Sequence, residues 1–411
     1  MPQFICATIQ LMVSPALETV PRTPKLRPSG FSARSAASFT LFACALFIVL
    51  GIVTTLLGPT FPLLLKRWPV TTAQLGTLFF WQFIPSTAGT LLSGAMLSKR
   101  SFRLGVVFGV ALCLLGVAGL IWADWNLGRA AVACYGVGLG FALPATNLAV
   151  AEANRTRRAA SVSLLNFAWG VGAISGPLLL RLTHSLSGFF IALAALVALG
   201  LAGSAIWQMP PKSAAAPTGE MPVSAPVRLW IVAPLIAASM FLFCGVENAV
   251  AGWAATLALP SFADAFRASN ANEAFWAFFL AGRALAPVVL RRISETWLLF
   301  ASIITAAAGV LAFYFAAHAA TILVACAIAG LGVGPGFPLL ISRVSELIGP
   351  QRPACTVCFA FAGIGAATLP SAMGLIGEKM GDPRAGLLLP LFGLVLLLPT
   401  ARMLSAWRRN A

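Results

Sequence analysis

Apolar runs long enough to cross a bilayer recur along the whole chain, and short stretches carrying most of the charge separate them. An uninterrupted apolar run of about 18 residues or more reads as a transmembrane helix, because ~20 helical residues cover the ~30 Å hydrocarbon core. Twelve such spans are predicted, at 39–63, 74–97, 104–122, 130–150, 160–182, 188–208, 229–258, 273–290, 297–316, 320–342, 354–376 and 384–404. The connection 209–228 is different. Pro210, Pro211, Pro217, Pro222 and Pro226 in an Ala/Ser filling make it a polar linker between the sixth and seventh spans. Residues 1–38 hold several Pro and Arg and read as a disordered cytoplasmic arm; Phe4–Leu17 lacks the basic flank of a cleaved signal. A true start further along is the alternative. The expected organisation is an arm (1–38), a six-helix bundle (39–208), a linker (209–228) and a second six-helix bundle with a short tail (229–411).

Composition sharpens this reading. The chain is 59% hydrophobic and 9% charged, where soluble domains carry about 25% charged residues. Its net charge of +16 does not point to nucleic acid, because the Lys and Arg sit in short connections rather than on one basic face. With the N-terminus placed in the cytoplasm, nineteen of the 27 Lys and Arg fall on the cytoplasmic side and seven on the other. That asymmetry predicts a multi-pass protein of the plasma (inner) membrane with both termini cytoplasmic. Most of the eight Cys lie within apolar runs and read as small apolar residues; Cys355 and Cys358 read as two such residues on one helix face. The two His, His184 and His318, stand apart, so no metal site and no cofactor are expected. A membrane enzyme would need a nucleophile–base set, paired acids or metal ligands, and none is visible.

The two halves resemble each other at a constant offset of 193 or 194 residues. Gly138, Gly140 and Pro144 recur as Gly332, Gly334 and Pro338; Gly170, Gly172, Ala173 and Pro177 recur as Gly363, Gly365, Ala366 and Pro370; Gly89 matches Gly282, and Gly51 matches Gly245. Two parallel six-helix repeats around a midplane site are the plan of a transporter whose halves rock against each other. The expected fold class is an all-α membrane protein of twelve transmembrane helices in two such repeats.

These features resemble the major facilitator superfamily over nearly the whole chain. Its usual loop between spans 2 and 3, G-x-x-x-D-R-x-G-R-R, reads here Gly94-Ala-Met-Leu-Ser98-Lys99-Arg100-Ser101-Phe102-Arg103, with Ser98 and Ser101 replacing the acid and the second Gly. Within the superfamily the likeness is to the fucose/galactose–proton symporter branch. It rests on Gly138, Gly140 and Asn147; Asn166, Trp169, Gly170, Gly172 and Ala173; Gly176 and Pro177; Gly245, Glu247, Gly252 and Trp253; Phe275, Trp276, Gly282 and Arg283; and Gly363, Gly365, Leu369 and Pro370. That resemblance implies sugar transport with proton coupling. The branch's acids of spans 1 and 4 are missing; the latter falls at Leu143.

Glu247 is the one acid deep within an apolar run. An intramembrane carboxyl is costly unless it meets water, a partner or a substrate. It reads as a proton-coupling group or a sugar ligand, or else as a protonated carboxyl that ties helices. Asn166 and Trp169 share a helix face, and an amide beside an aromatic plate suits a sugar or else glues helices. Gln82, Asn147, Asn248 and Trp253 complete the expected substrate-binding set. Arg283 reads as a charge that binds substrate, pairs with Glu247 or holds helices together. Glu152, Lys99 and Arg100 read as gating or structural charges. The expected partners are the lipid bilayer and a small polar solute, with a proton or sodium ion as driver and a monomeric protein; an efflux carrier for hydrophobic or amphipathic compounds is the alternative.

Overall fold

The computed structural model describes residues 32–99, 101–211, 229–347 and 353–409 of the 411-residue chain. Residues 212–228 of the linker, Arg100 and the arm up to residue 31 lie outside the described residues, as does the side chain of Lys99.

The first span is two helices, α1 (Ala33–Thr55) and α2 (Leu57–Arg67). It begins within the stretch expected to be an arm, because the Ser32 side chain accepts from the Ser35 amide and caps α1. The interruption at Leu56 has a chemical cause: Pro59 lacks the N–H that would reach the Thr55 carbonyl. Then follow α3 (Thr72–Lys99), α4 (Phe102–Gly119), α5 (Trp125–Ala153), α6 (Arg158–Thr183) and α7 (Leu186–Ile206). The second half starts with α8 (Leu229–Ala258), the seventh span, and a short α9 (Ala265–Ala268). It continues with α10 (Asn270–Val289), α11 (Glu295–Phe315), α12 (Ala319–Val333), α13 (Gly336–Leu347), α14 (Pro353–Lys379) and α15 (Leu388–Arg409). The tenth span is thus broken between α12 and α13. Pro335 and Pro338 carry no N–H, so the carbonyls of Leu331 and Gly334 lose their intrahelical donors.

Among the described residues, ten helices are long and apolar enough to cross a membrane on composition alone. Helices α3 and α10 are not among them, although their 28 and 20 residues reach about 42 and 30 Å. Their polar residues explain this: Gln74, Gln82 and Ser86 on α3; Asn272, Glu273 and Arg283 on α10. Both helices lie where the halves meet, α3 packing on α14 and α6 on α10. Twelve crossings return the chain to the face it left, here called the terminal face; the opposite one is the far face.

The repeat seen in sequence is also a repeat of contacts. A side chain at Gly172 would strike the Ile48 carbonyl where α6 crosses α1, and one at its counterpart Gly365 would strike the Phe241 carbonyl where α14 crosses α8. Likewise Gly89 abuts the Val137 carbonyl, and its counterpart Gly282 abuts the Leu331 carbonyl. Lipid supplies no hydrophobic drive between helices, so such close backbone approach is what holds the bundle. Large apolar side chains such as Leu41, Leu115, Leu199 and Phe392 are exposed on the outside, as a lipid-facing surface requires.

Candidate functional site

Glu247 lies in the middle of α8, buried to 9% exposure. It makes no hydrogen bond and no ion pair with any described residue. Arg283 on α10 attracts it electrostatically without closing to a salt bridge. The Arg283 Nε donates to the Gly334 carbonyl at 3.1 Å, and the guanidinium lies 4.2 Å from the centroid of the Phe279 ring. Arg283 therefore satisfies the carbonyl that Pro338 leaves without a donor.

The next residue, Asn248, donates to the Cys244 carbonyl at 2.9 Å and reaches a small cavity at the meeting of the halves. The cavity holds about 10 Å³, room for about one water. Thr54, Thr55 and Gly58 line it from the first half; Asn248, Asn272 and Trp276 line it from the second. Asn272 is fully buried; its amide N–H donates to the Ala251 carbonyl, and its Oδ1 has no partner. Beside the cavity, Trp169 on α6 and Trp276 on α10 meet edge to face with centroids 5.7 Å apart, and the Trp169 indole donates to the Thr54 hydroxyl at 3.3 Å. Hydroxyls, amides and ring faces here converge from both halves around about one water's volume. Such a lining can hold a larger neutral polar molecule by hydrogen bonds and stacking once the halves move apart.

The other residues expected at the site are placed differently. Gln82 is buried within the first half: its amide N–H donates to the Thr54 carbonyl at 2.7 Å and its oxygen accepts from the Tyr135 hydroxyl at 3.0 Å. It supports Thr54 from behind. Asn147 donates to the Leu143 carbonyl and Asn166 to the Val162 carbonyl, each four residues back on its own helix, and neither lines the cavity. The Asn147 Oδ1 is buried without a partner. The Trp253 indole is buried, donates to the Pro370 carbonyl at 2.9 Å and packs edge-on against Phe61 at 5.3 Å. Glu152 pairs with Arg155 and, at 3.7 Å, with Arg158.

Polar ties that sequence reasoning missed join the halves at the far face. Arg181 at the end of α6 donates to Asn270 at 2.6 Å and to Glu273 at 2.5 Å on α10. Glu378 at the end of α14 accepts from the Ala73 amide at 2.8 Å and the Thr72 hydroxyl at 3.2 Å at the start of α3. Ser371 donates to the Gly76 carbonyl at 2.9 Å. The signal available in sequence was the polar opening of α10, Asn270-Ala-Asn272-Glu273, at the same membrane level as Arg181.

Comparison with known proteins fits this architecture. The glucose/mannose transporter GlcP of Bacillus subtilis is 27% identical over 152 residues, which is 37% of this chain and 38% of that protein. The match thus spans well under half of that relative. The Escherichia coli fucose:proton symporter FucP, solved in the outward conformation, superimposes with a TM-score of 0.61 at 18% identity, covering 90% of this chain and 99% of that one. A bacterial homologue of the human lysosomal transporter Spinster, solved inward-facing and unoccupied, gives 0.72 at 12% identity over 91% and 98%. A D-xylose–proton symporter gives 0.68 at 14% identity over 88% and 97%. The profile of the Major Facilitator Superfamily matches residues 43–366. With its helices in two matched halves and a profile match over most of its length, the chain belongs to the Major Facilitator Superfamily and is a secondary transporter, not an enzyme.

Proposed function

We propose that the protein carries a small neutral polar solute, a sugar, across the inner membrane by alternating access, driven by a proton that Glu247 takes up and releases. The observation that carries this reading is the polar lining shared by the halves. Thr54 and Thr55 face Asn248 and Asn272 across a space now closed to about one water, flanked by Trp276, and the rocking of the halves widens it for solute. A hydroxylated ring needs hydrogen bonds around its edge and an aromatic plate against its C–H face. FucP is a fucose, GlcP a glucose/mannose and the third neighbour a D-xylose transporter, which supports the same class. Glu247 suits the proton because it is buried, central and unpaired; an ionised carboxyl left so in the membrane is unfavourable by several kcal/mol.

The far-face ties through Arg181 and Glu378 give the state a direction. With the halves joined there, the solute path is closed at the far face. The charge asymmetry of the connections supports a cytoplasmic terminal face, and in this reading the far face, closed here, is the outer one. The central loop, residues 209–228, joins two rocking bundles in this reading, and the unit that transports is a monomer.

The test is ligand-induced thermal stabilisation of the purified protein with a panel of hexoses and pentoses against a panel of amphipathic cations. Stabilisation by one or more sugars, lost in T54V/N272L, is expected. Stabilisation by the cations alone would replace the sugar reading with efflux of amphipathic compounds.

A further inference from the structure

The tenth span is broken at a point that Arg283 holds. In an unbroken helix the Gly334 carbonyl would accept from residue 338, which is proline, and the Leu331 carbonyl from residue 335, also proline. Arg283 from α10 fills the first vacancy through its Nε at 3.1 Å. The close crossing of α10 with α12 fixes this reach, because a side chain at Gly334 would strike the Phe279 carbonyl and one at Gly282 the Leu331 carbonyl. The same guanidinium is electrostatically tied to Glu247 on α8, yet the two are not paired in this state. Arg283 thus has two competing partners, a backbone carbonyl at the break and a carboxyl at the midplane.

We propose that Arg283 is the positioning residue that transmits the charge of Glu247 to the break in the tenth span. With Glu247 protonated, Arg283 stays on the Gly334 carbonyl and over Phe279, as observed, and the junction of α12 and α13 is held. With Glu247 ionised, the guanidinium is drawn to the carboxylate, the Gly334 carbonyl loses its donor, and the junction loosens. The groups facing Glu247 leave the signal few other routes. Its electrostatic neighbours are Arg283 and Cys244, the latter one turn back on α8. Arg343 on α13 is turned to Thr296, and Glu295 to Ser342, so both engage the α11–α13 contact instead. Arg181, Glu273 and Glu378 lie at the far face. The proposal rests on the proton reading of Glu247 but is tested apart from transport.

The experiment is hydrogen–deuterium exchange by mass spectrometry on the full chain in detergent. Protection of peptides covering 331–347 is followed from acidic to alkaline pH and corrected for intrinsic exchange. The wild type should lose roughly tenfold to a hundredfold protection there on going to alkaline pH, the scale of one hydrogen bond to a charged donor. E247Q should stay protected at every pH. R283M should be unprotected at every pH. P338A, which returns an N–H to the Gly334 carbonyl, should be protected at every pH with Arg283 and Glu247 intact. A pH response that persists in R283M or in P338A, or one absent from the wild type, overturns the proposal. Because the readout is local exchange, a sugar panel that fails leaves this result standing, and a failure here leaves the sugar reading standing.

Discussion

Arg181 and Glu273 join the two halves of the transporter, the guanidinium donating to the carboxylate at 2.5 Å from the end of α6 to the start of α10. Neither residue is fully withdrawn from water, at 25% and 31% side-chain exposure, so the pair contributes on the order of 1 kcal/mol or less by itself. That is the right scale for a closure that must reopen on every cycle: the halves are tied, not fused. Spin labels at Leu127 and Met380, exposed positions near the far face on opposite halves, should report the tie by double electron–electron resonance. R181A should add a longer-distance population, and the charge swap R181E/E273R should remove it again. An unchanged distance distribution in R181A would mean that packing alone closes this face.

Glycines at matched crossings predict matched losses. Gly172 and Gly365 each present their α-carbon to a backbone carbonyl of the partner helix, whereas nothing lies within 4 Å of a side chain built at Gly94. G172V and G365V should each lower stability by about 1–3 kcal/mol or more, through forced separation of helices. G94A should be neutral in thermal unfolding. Tolerance of valine at both crossings would show that the helices can separate without cost.

Gln82 separates a structural role from a binding role. Q82L would strand the Thr54 carbonyl and the Tyr135 hydroxyl, both of which it now pairs. A cost of about 1–3 kcal/mol in stability is expected, with the rank order of solutes unchanged. A new solute preference in a normally stable Q82L protein would put Gln82 in direct contact with substrate.

Trp276 carries the opposite prediction for affinity. It lines the shared cavity and meets the edge of Trp169. W276A should raise the apparent KM for sugar by roughly tenfold, as loss of one stacking platform worth about 1–2 kcal/mol implies. It should also lower the unfolding temperature, because the ring is buried against Phe275 and Phe279. W276F, which keeps a ring there, should restore much of both. Full retention of affinity would move the sugar away from this ring.

Much of this was legible in the sequence. Apolar run length marked the spans, and the 193–194 spacing of Gly51, Gly89, Gly138 and Gly172 from their counterparts marked the repeat that the glycine crossings now realise. Glu247 stood out because a charge in an apolar run is conspicuous. What sequence could not give was side-chain direction. Gln82, Asn147, Asn166 and Trp253 all read as lining because they are polar or aromatic within a span. Yet the Gln82 amide is spent on Thr54 and Tyr135, and the Trp253 indole on Pro370, 117 residues away. Asn147 and Asn166 turn back onto their own helices. Thr54 and Asn272 were hidden for the converse reason, since a threonine within a span or an asparagine at a span edge is unremarkable until another helix brings a partner to it. Arg181 and Glu273 look like ordinary connection charges until the lean of the two halves sets them side by side.

The central claim is that a proton on Glu247 drives uphill movement of solute. The most direct measurement is transport in proteoliposomes by E247Q, comparing accumulation under an imposed proton gradient with counterflow exchange in its absence. Exchange at near wild-type rate with no accumulation above equilibrium is the predicted result. Undiminished uphill uptake by E247Q would contradict the account.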